Sequence, residues 1–151
     1  MEALLGDLDR DLAGLTPGLP PLVSLFIGGG TPSLFSGAAI ARLLAGIRQR
    51  LPLDPTTEIT LEANPGTADA ANFTAYRAAG VNRLSLGVQS LSADRLHDLG
   101  RIHGPDEARR AFRLARQAGF DNINLDLMYG LPHQGLPQAR DDLKLALALA
   151  P

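Results

Sequence analysis

Three stretches of this sequence put polar side chains where a buried strand needs apolar ones. Thr60 and Glu62 alternate with Ile59 and Leu61. Ser85, Gly87 and Gln89 alternate with Leu84, Leu86 and Val88, and Asn124 and Asp126 with Ile123, Leu125 and Leu127. Successive side chains of a strand point to opposite faces, so each stretch has one apolar and one polar face. The polar groups lie toward the C-terminal ends, where parallel α/β folds bind their ligands. A buried carboxylate costs several kcal/mol unless it is paired or hydrogen-bonded, so Glu62 and Asp126 together require partners. Either one alone is equally a strand-end residue that reaches solvent or caps a helix; the set together points to a pocket for a polar ligand.

A glycine-rich loop, Gly28-Gly29-Gly30-Thr31, ends the strand-like run before these three. With no Cβ in the way, its backbone N–H groups can come close to a ligand. It is not a P-loop, because no Gly-Lys-Ser/Thr follows. Nor is it a dinucleotide fingerprint, since Pro32 interrupts and Ser33 holds the third glycine position. Alone, a triple glycine is also what a tight turn needs. His97, His103 and His133 lack metal-ligand spacing and are expected as isolated surface residues, with His103 less clear because of its Gly100-Arg101-Ile102-His103 setting. No Gly-x-Ser-x-Gly elbow is present. Arg109, Arg110, Arg113 and Arg116 are expected on a solvated helix face rather than at a phosphate site.

The elements that must position these residues alternate. Leu4, Leu5, Leu8, Leu12 and Leu15 make one stripe of a helix over Glu2 to Leu15. The Pro/Gly-rich break from Thr16 to Pro21 follows, and then a buried strand, Leu22 to Ile27. Ser36 caps a helix carrying Ile40, Leu43, Leu44, Ile47 and Leu51, which Pro52 closes. Glu58 to Glu62 is the next strand, with a turn at Asn64-Pro65-Gly66. Thr67 is expected to cap a helix that runs to Ala79, with Gly80 just past its end. Arg83 to Val88 is the third strand, Ser92 to Leu99 a short helix, and Pro105 opens a longer one whose apolar face is Ala108, Ala111, Phe112 and Ala115. Asn122 to Met128 is the fourth strand and Pro137 to Ala150 the last helix. Such βα alternation predicts an α/β fold: about four parallel strands with covering helices, in an open doubly wound sheet or part of a (β/α) barrel.

At 151 residues the chain is the size of one ordinary domain. A formal net charge of −2 offers no electrostatic case for nucleic acid or an acidic membrane. No apolar run approaches about 18 residues and no charged-then-apolar leader is seen, so a cytoplasmic protein without a membrane span is expected. Cysteine is absent, which leaves no thiolate ligand or thiol nucleophile in this chain.

Phe26 to Ser33 (FIGGGTPS), Ile59 to Thr67 (ITLEANPGT), Gly80 to Ser90 (GVNRLSLGVQS), Leu99 to Gly104 (LGRIHG) and Asn122 to Pro132 (NINLDLMYGLP), in this order, resemble the radical S-adenosylmethionine (SAM) proteins related to oxygen-independent coproporphyrinogen III oxidase. The wording Gly100-Arg101-Ile102-His103 is similar to the HemW heme-chaperone branch. The resemblance implies a partial (β/α) barrel of the radical SAM type. It also implies SAM contacts at Gly29, Gly30, Thr31, Glu62, Gln89, Arg101 and Asp126. On this pattern Arg101 suits the methionine carboxylate, and carboxylate and amide groups suit the ribose hydroxyls.

The same family holds a [4Fe–4S] cluster on a Cys-x-x-x-Cys-x-x-Cys motif after the first barrel strand. That motif is missing here, so residues 1–151 are expected to be an incomplete radical SAM core domain, without the first strand and its cluster loop and without the C-terminal part. No catalytic residue and no metal ligand is assigned within the chain. The function implied is heme trafficking or insertion, with SAM and heme or porphyrin as ligands and a heme-acceptor protein as partner, and the chain is expected to be inactive alone. Coproporphyrinogen oxidation is the rival activity, and a non-functional gene remnant that folds poorly is the third reading.

Overall fold

Alternating strand and helix periodicities become alternating elements in space. The computed structural model describes residues 1–15 and 18–151; Thr16 and Pro17 of the expected Pro/Gly-rich break lie outside the described residues. The elements are α1 (Glu2–Ala13), β1 (Leu22–Ile27), α2 (Gly37–Arg48), β2 (Leu53–Ala63), α3 (Ala70–Ala79), β3 (Arg83–Gln89), α4 (Ala93–Asp98), α5 (Pro105–Gln117), β4 (Asn122–Leu127) and α6 (Leu136–Leu147). The strands form one sheet in the order β1-β2-β3-β4, every neighbouring pair parallel. Strand order that never doubles back belongs to a barrel segment; a doubly wound sheet reverses direction at a switch point. The open alternative is thereby settled in favour of the barrel segment.

One side of the sheet carries the core. Ile59, Leu61 and Ala63 of β2, Leu84, Leu86 and Val88 of β3, and Ile123 of β4 pack against Ile40 and Leu44 of α2, Phe73 and Tyr76 of α3, and Ala108, Ala111, Phe112 and Ala115 of α5. The alternate residues, Thr60, Glu62, Ser85, Gly87, Gln89, Asn124 and Asp126, point to the other side. Burial of the apolar set at about 25 cal/mol per Å² is what holds the helices to the strands. The outer strands β1 and β4 are sheet edges, and Val23 of β1 is 88% exposed. Among the described residues no helix is long and apolar enough to cross a membrane.

Local signals account for most boundaries. Ser36 Oγ accepts the Ala39 N–H, capping α2, and Gly80 adopts φ 109° just beyond α3. Thr67 does not cap α3. Its hydroxyl donates to the Asn64 carbonyl and pairs with Ser33 Oγ, while the Asp69 carboxylate accepts from Asn72 N–H and starts the helix. β2 begins at Leu53 rather than Glu58. The register jumps between Leu22↔Leu53 and Ser24↔Glu58, and Pro55 sits in that irregular stretch, where the missing N–H is tolerated. Smaller differences are that α1 stops at Ala13, β4 at Leu127 and α6 at Leu147.

Candidate functional site

The four strands end in loops that converge on one cleft. It is lined by Gly30, Thr31 and Pro32 after β1, Glu62, Ala63 and Asn64 at the end of β2, and Ser85, Gly87 and Gln89 of β3. Arg101, from the loop after α4, and Asp126 of β4 complete a volume of about 230 Å³. Of the residues singled out from sequence, Gly30, Thr31, Glu62, Gln89, Arg101 and Asp126 line this cleft directly. Gly29 joins it through Glu62, whose Oε2 accepts the Gly29 N–H at 3.1 Å.

Both carboxylates are half-buried and hydrogen-bonded. Asp126 accepts from Ser85 Oγ at 3.1 and 3.0 Å, and its Oδ1 also accepts from Asn124 Nδ2 at 2.6 Å. Asn124 Nδ2 further donates to Ser85 Oγ at 3.0 Å. This network joins β3 and β4, and the register sets Glu62 of β2 beside Ser85 and Ser85 beside Asn124, so the three polar residues share one row. Ser85 and Asn124 lie on the polar face that the sequence pattern predicts, but that pattern assigns them no part in the site; the signal for them is their alternation with Leu84, Leu86, Ile123 and Leu125.

Two glycines leave the space those side chains occupy. A Cβ on Gly28 would stand 2.8 Å from Phe26 Cε1 and 3.0 Å from Glu62 Oε2, and one on Gly87 would stand 3.2 Å from Gln89 Nε2. At Gly29 and Gly30 a Cβ would meet nothing within 4 Å, and φ is 84° and 58°. Those two glycines serve a left-handed turn with bare backbone facing open space, which is what a closely approaching ligand requires.

His103 is buried, 3% exposed, against the expectation of surface histidines. Its Nε2–H donates to the Val88 carbonyl at 3.3 Å. The side chain of His97 is 91% exposed, as expected. Among the described residues no group of three His, Asp or Glu side chains is placed to hold a metal ion.

Two carboxylates, one guanidinium, two carboxamides and loop amides surround a single cleft. Both signs of charge stand beside neutral donors and acceptors, so the set can hold a zwitterion that also carries hydroxyl groups.

Comparison with known proteins identifies the family and the fold. The model of the radical SAM superfamily matches residues 17–146. The heme chaperone HemW of Escherichia coli (strain K12) is 54% identical over 151 residues, 100% of this chain and 39% of that protein. Radical S-adenosyl methionine domain-containing protein 1, mitochondrial, of Mus musculus is 44% identical over 117 residues, 78% of this chain and 26% of that protein. Among solved structures, the coproporphyrinogen III oxidase HemN of Escherichia coli, a radical SAM enzyme, matches with a TM-score of 0.74 at 32% identity, covering 84% of this chain and 29% of that one. The chain thus spans well under half the length of the relatives it matches. The fold is a partial (β/α) barrel of the kind these structures share.

Proposed function

The chain belongs to the radical SAM superfamily, and from that premise we propose that its cleft binds S-adenosylmethionine, residues 1–151 being the middle part of a radical SAM core domain. Arg101 takes the methionine carboxylate and Glu62 the ammonium group. Gln89 and Asp126 take ribose hydroxyls, while Gly29, Gly30 and Thr31 bring bare backbone against the ligand. The observation that carries this reading is the convergence: groups from sequence positions as far apart as Gly30 and Asp126 line one cleft at the strand ends. In the superfamily an iron–sulfur cluster supplies the electron that cleaves SAM. Its thiolate ligands are not among the residues of this chain, which has no cysteine, and the present side chains do not fit that group. What they fit is the binding and orientation of SAM.

Titration calorimetry on the folded chain tests the reading. SAM is expected to bind, and Glu62→Ala or Asp126→Ala to weaken binding at least about tenfold, the loss of one charge-assisted contact. Folded protein that gives no heat at about millimolar SAM rejects it.

For the whole protein we propose heme trafficking in the cytoplasm, with delivery to an acceptor protein. The 54% identity to a heme chaperone favours this over an oxidase role. The fit to the HemN structure supports coproporphyrinogen oxidation as the second reading. Hemin titration followed in the Soret region should show saturable binding; anaerobic conversion of coproporphyrinogen would favour the oxidase instead. A cooperative thermal transition counts against a gene remnant.

A further inference from the structure

Gln89 enters the cleft from a backbone conformation that a side chain makes costly. Its φ is 66°, and the Ser90 N–H donates to the Val88 carbonyl at 2.8 Å. An i to i+2 hydrogen bond around a residue of positive φ is the rare, strained form of γ-turn. Such strain persists only where the surroundings over-determine it.

Two buried ionisable side chains bracket this turn, and neither lines the cleft. Asp142, on α6, is 5% exposed. Its Oδ2 accepts from Ser90 Oγ at 2.8 Å and its Oδ1 from the Leu91 N–H at 2.7 Å, the two residues that follow Gln89. His103 donates to the carbonyl of Val88, the residue before it. The carbonyl of Gln89 itself accepts from Met128 N–H at 2.8 Å, and Ser92 N–H donates to Ser90 Oγ at 3.1 Å. The Val88 and Gln89 carbonyls and the Leu91 N–H are therefore each tied to a different distant residue, His103, Met128 and Asp142. The side chain of Gln89 lies over Gly87, where a Cβ would crowd its Nε2.

A tie between α6 and the sheet would by itself explain one buried carboxylate. It does not explain why both buried groups act on the residues immediately flanking the one strained side chain of the cleft. We propose that Asp142 and His103 are positioning residues that hold Gln89 in its γ-turn and so aim its amide into the cleft. The effect on ligand binding rests on the SAM reading above; the effect on the Gln89 backbone does not.

The test uses the 151-residue chain and its variants Asp142→Ala, Asp142→Asn and His103→Ala. The readouts are the one-bond Cα–Hα coupling of Gln89, which separates positive from negative φ, and calorimetry with SAM. In Asp142→Ala the coupling moves to its negative-φ value and SAM binding weakens about tenfold, as two buried donors lose their acceptor. His103→Ala moves both readouts the same way. Asp142→Asn keeps an acceptor for the Leu91 N–H and restores most of both. A merely structural Asp142 would lower the melting temperature of Asp142→Ala and leave the Gln89 coupling at its wild-type value, which overturns the proposal. If Asp142→Ala does not fold, Ser90→Ala removes one of the same bonds and carries the same readout. Absence of SAM binding by the wild-type chain rejects the SAM reading alone, and the coupling still decides the positioning role.

Discussion

The carboxylate of Glu62 reaches across from β2 to accept the backbone N–H of Gly29 at 3.1 Å, tying a strand end to the glycine loop of its neighbour. One residue earlier, Gly28 leaves the room that the carboxylate needs: a Cβ there would lie 3.0 Å from Oε2 and 3.1 Å from Cδ. The glycine loop is thus shaped by a residue more than thirty positions away as well as by its own flexibility.

Gly28→Ala should therefore act through Glu62 as well as through Phe26, whose Cε1 the new Cβ would approach to 2.8 Å. The new methyl group displaces the carboxylate, breaks its bond to Gly29 and lowers stability by about 1 kcal/mol, the net worth of a hydrogen bond. In a Glu62→Ala background the same substitution should cost less, since only the approach to Phe26 remains. Chemical denaturation of the two single variants and the double variant measures the coupling; strictly additive losses would contradict the contact.

At Gln89 the ordinary ranking of glycine and alanine should reverse. Glycine in a strand normally destabilises relative to alanine, but at φ 66° the Cβ is the liability. Gln89→Gly is expected to be more stable than Gln89→Ala by about 1 kcal/mol. Urea titrations that rank alanine above glycine would show that the turn is not strained.

Tyr76 is fully buried, and its hydroxyl donates to the carbonyls of Ser33 (3.1 Å) and Phe35, pinning the segment that follows the glycine loop. Tyr76→Phe should cost about 1–2 kcal/mol by leaving buried carbonyls short of a donor. Burial, with a smaller push from Asp69, raises the phenol above its ordinary value. The unfolded phenol ionises near pH 10 while the folded one keeps its proton, so wild-type stability should fall above about pH 10. Tyr76→Phe should lack that share of the decline, and denaturant midpoints from pH 8 to 11 would reveal it.

Helix α1 is held by an ion pair with the opposite pH sense. Arg50 donates to both oxygens of Asp9, Nε at 2.6 Å and Nη2 at 2.9 Å. That hydrogen bonding, aided by the guanidinium charge, holds the Asp9 carboxyl below its usual range. A depressed folded value means the stabilisation is present above the unfolded value, about pH 4, and is lost as pH falls through the folded one. The melting-temperature gap between wild type and Asp9→Asn should be open at pH 7 and close toward pH 3. A gap that widens on acidification would contradict the sign.

Much of the fold and of the candidate cleft is legible in the sequence. Alternation within Ile59–Glu62, Leu84–Gln89 and Ile123–Leu127 separated polar from apolar faces correctly, because a strand's period is a local property. Gly80, Ser36 and Pro105 marked helix ends for equally local reasons. Thr67 misled because Thr67 and Asp69 are both good capping residues, and the competing bonds of Thr67 to Asn64 and Ser33 decide between them.

Helix α6 shows the limit most plainly. Leu143, Leu145 and Leu147 are 55%, 41% and 72% exposed, while Asp142 and Ala146 are buried. No pattern rule turns an aspartate inward and leucines outward. It happens because the Leu91 N–H and the Ser90 hydroxyl, about fifty residues away in sequence, provide donors at that position. His103 is inside for the same kind of reason, a distant carbonyl on β3.

What this sequence determined alone is therefore what depends on neighbours a few residues apart: the alternation of strands and helices, the polar face, the glycine loop and the absence of thiolate ligands. Tertiary structure decided the rest. Parallel register set Glu62 beside Ser85 and Ser85 beside Asn124. The bends after β3 and α4 brought Gln89 and Arg101 to one cleft, and buried groups from other elements brace the turn at Gln89. Those relations join residues tens of positions apart, and they exist only once burial of the apolar face has packed the helices against the sheet and brought the partners within hydrogen-bonding distance.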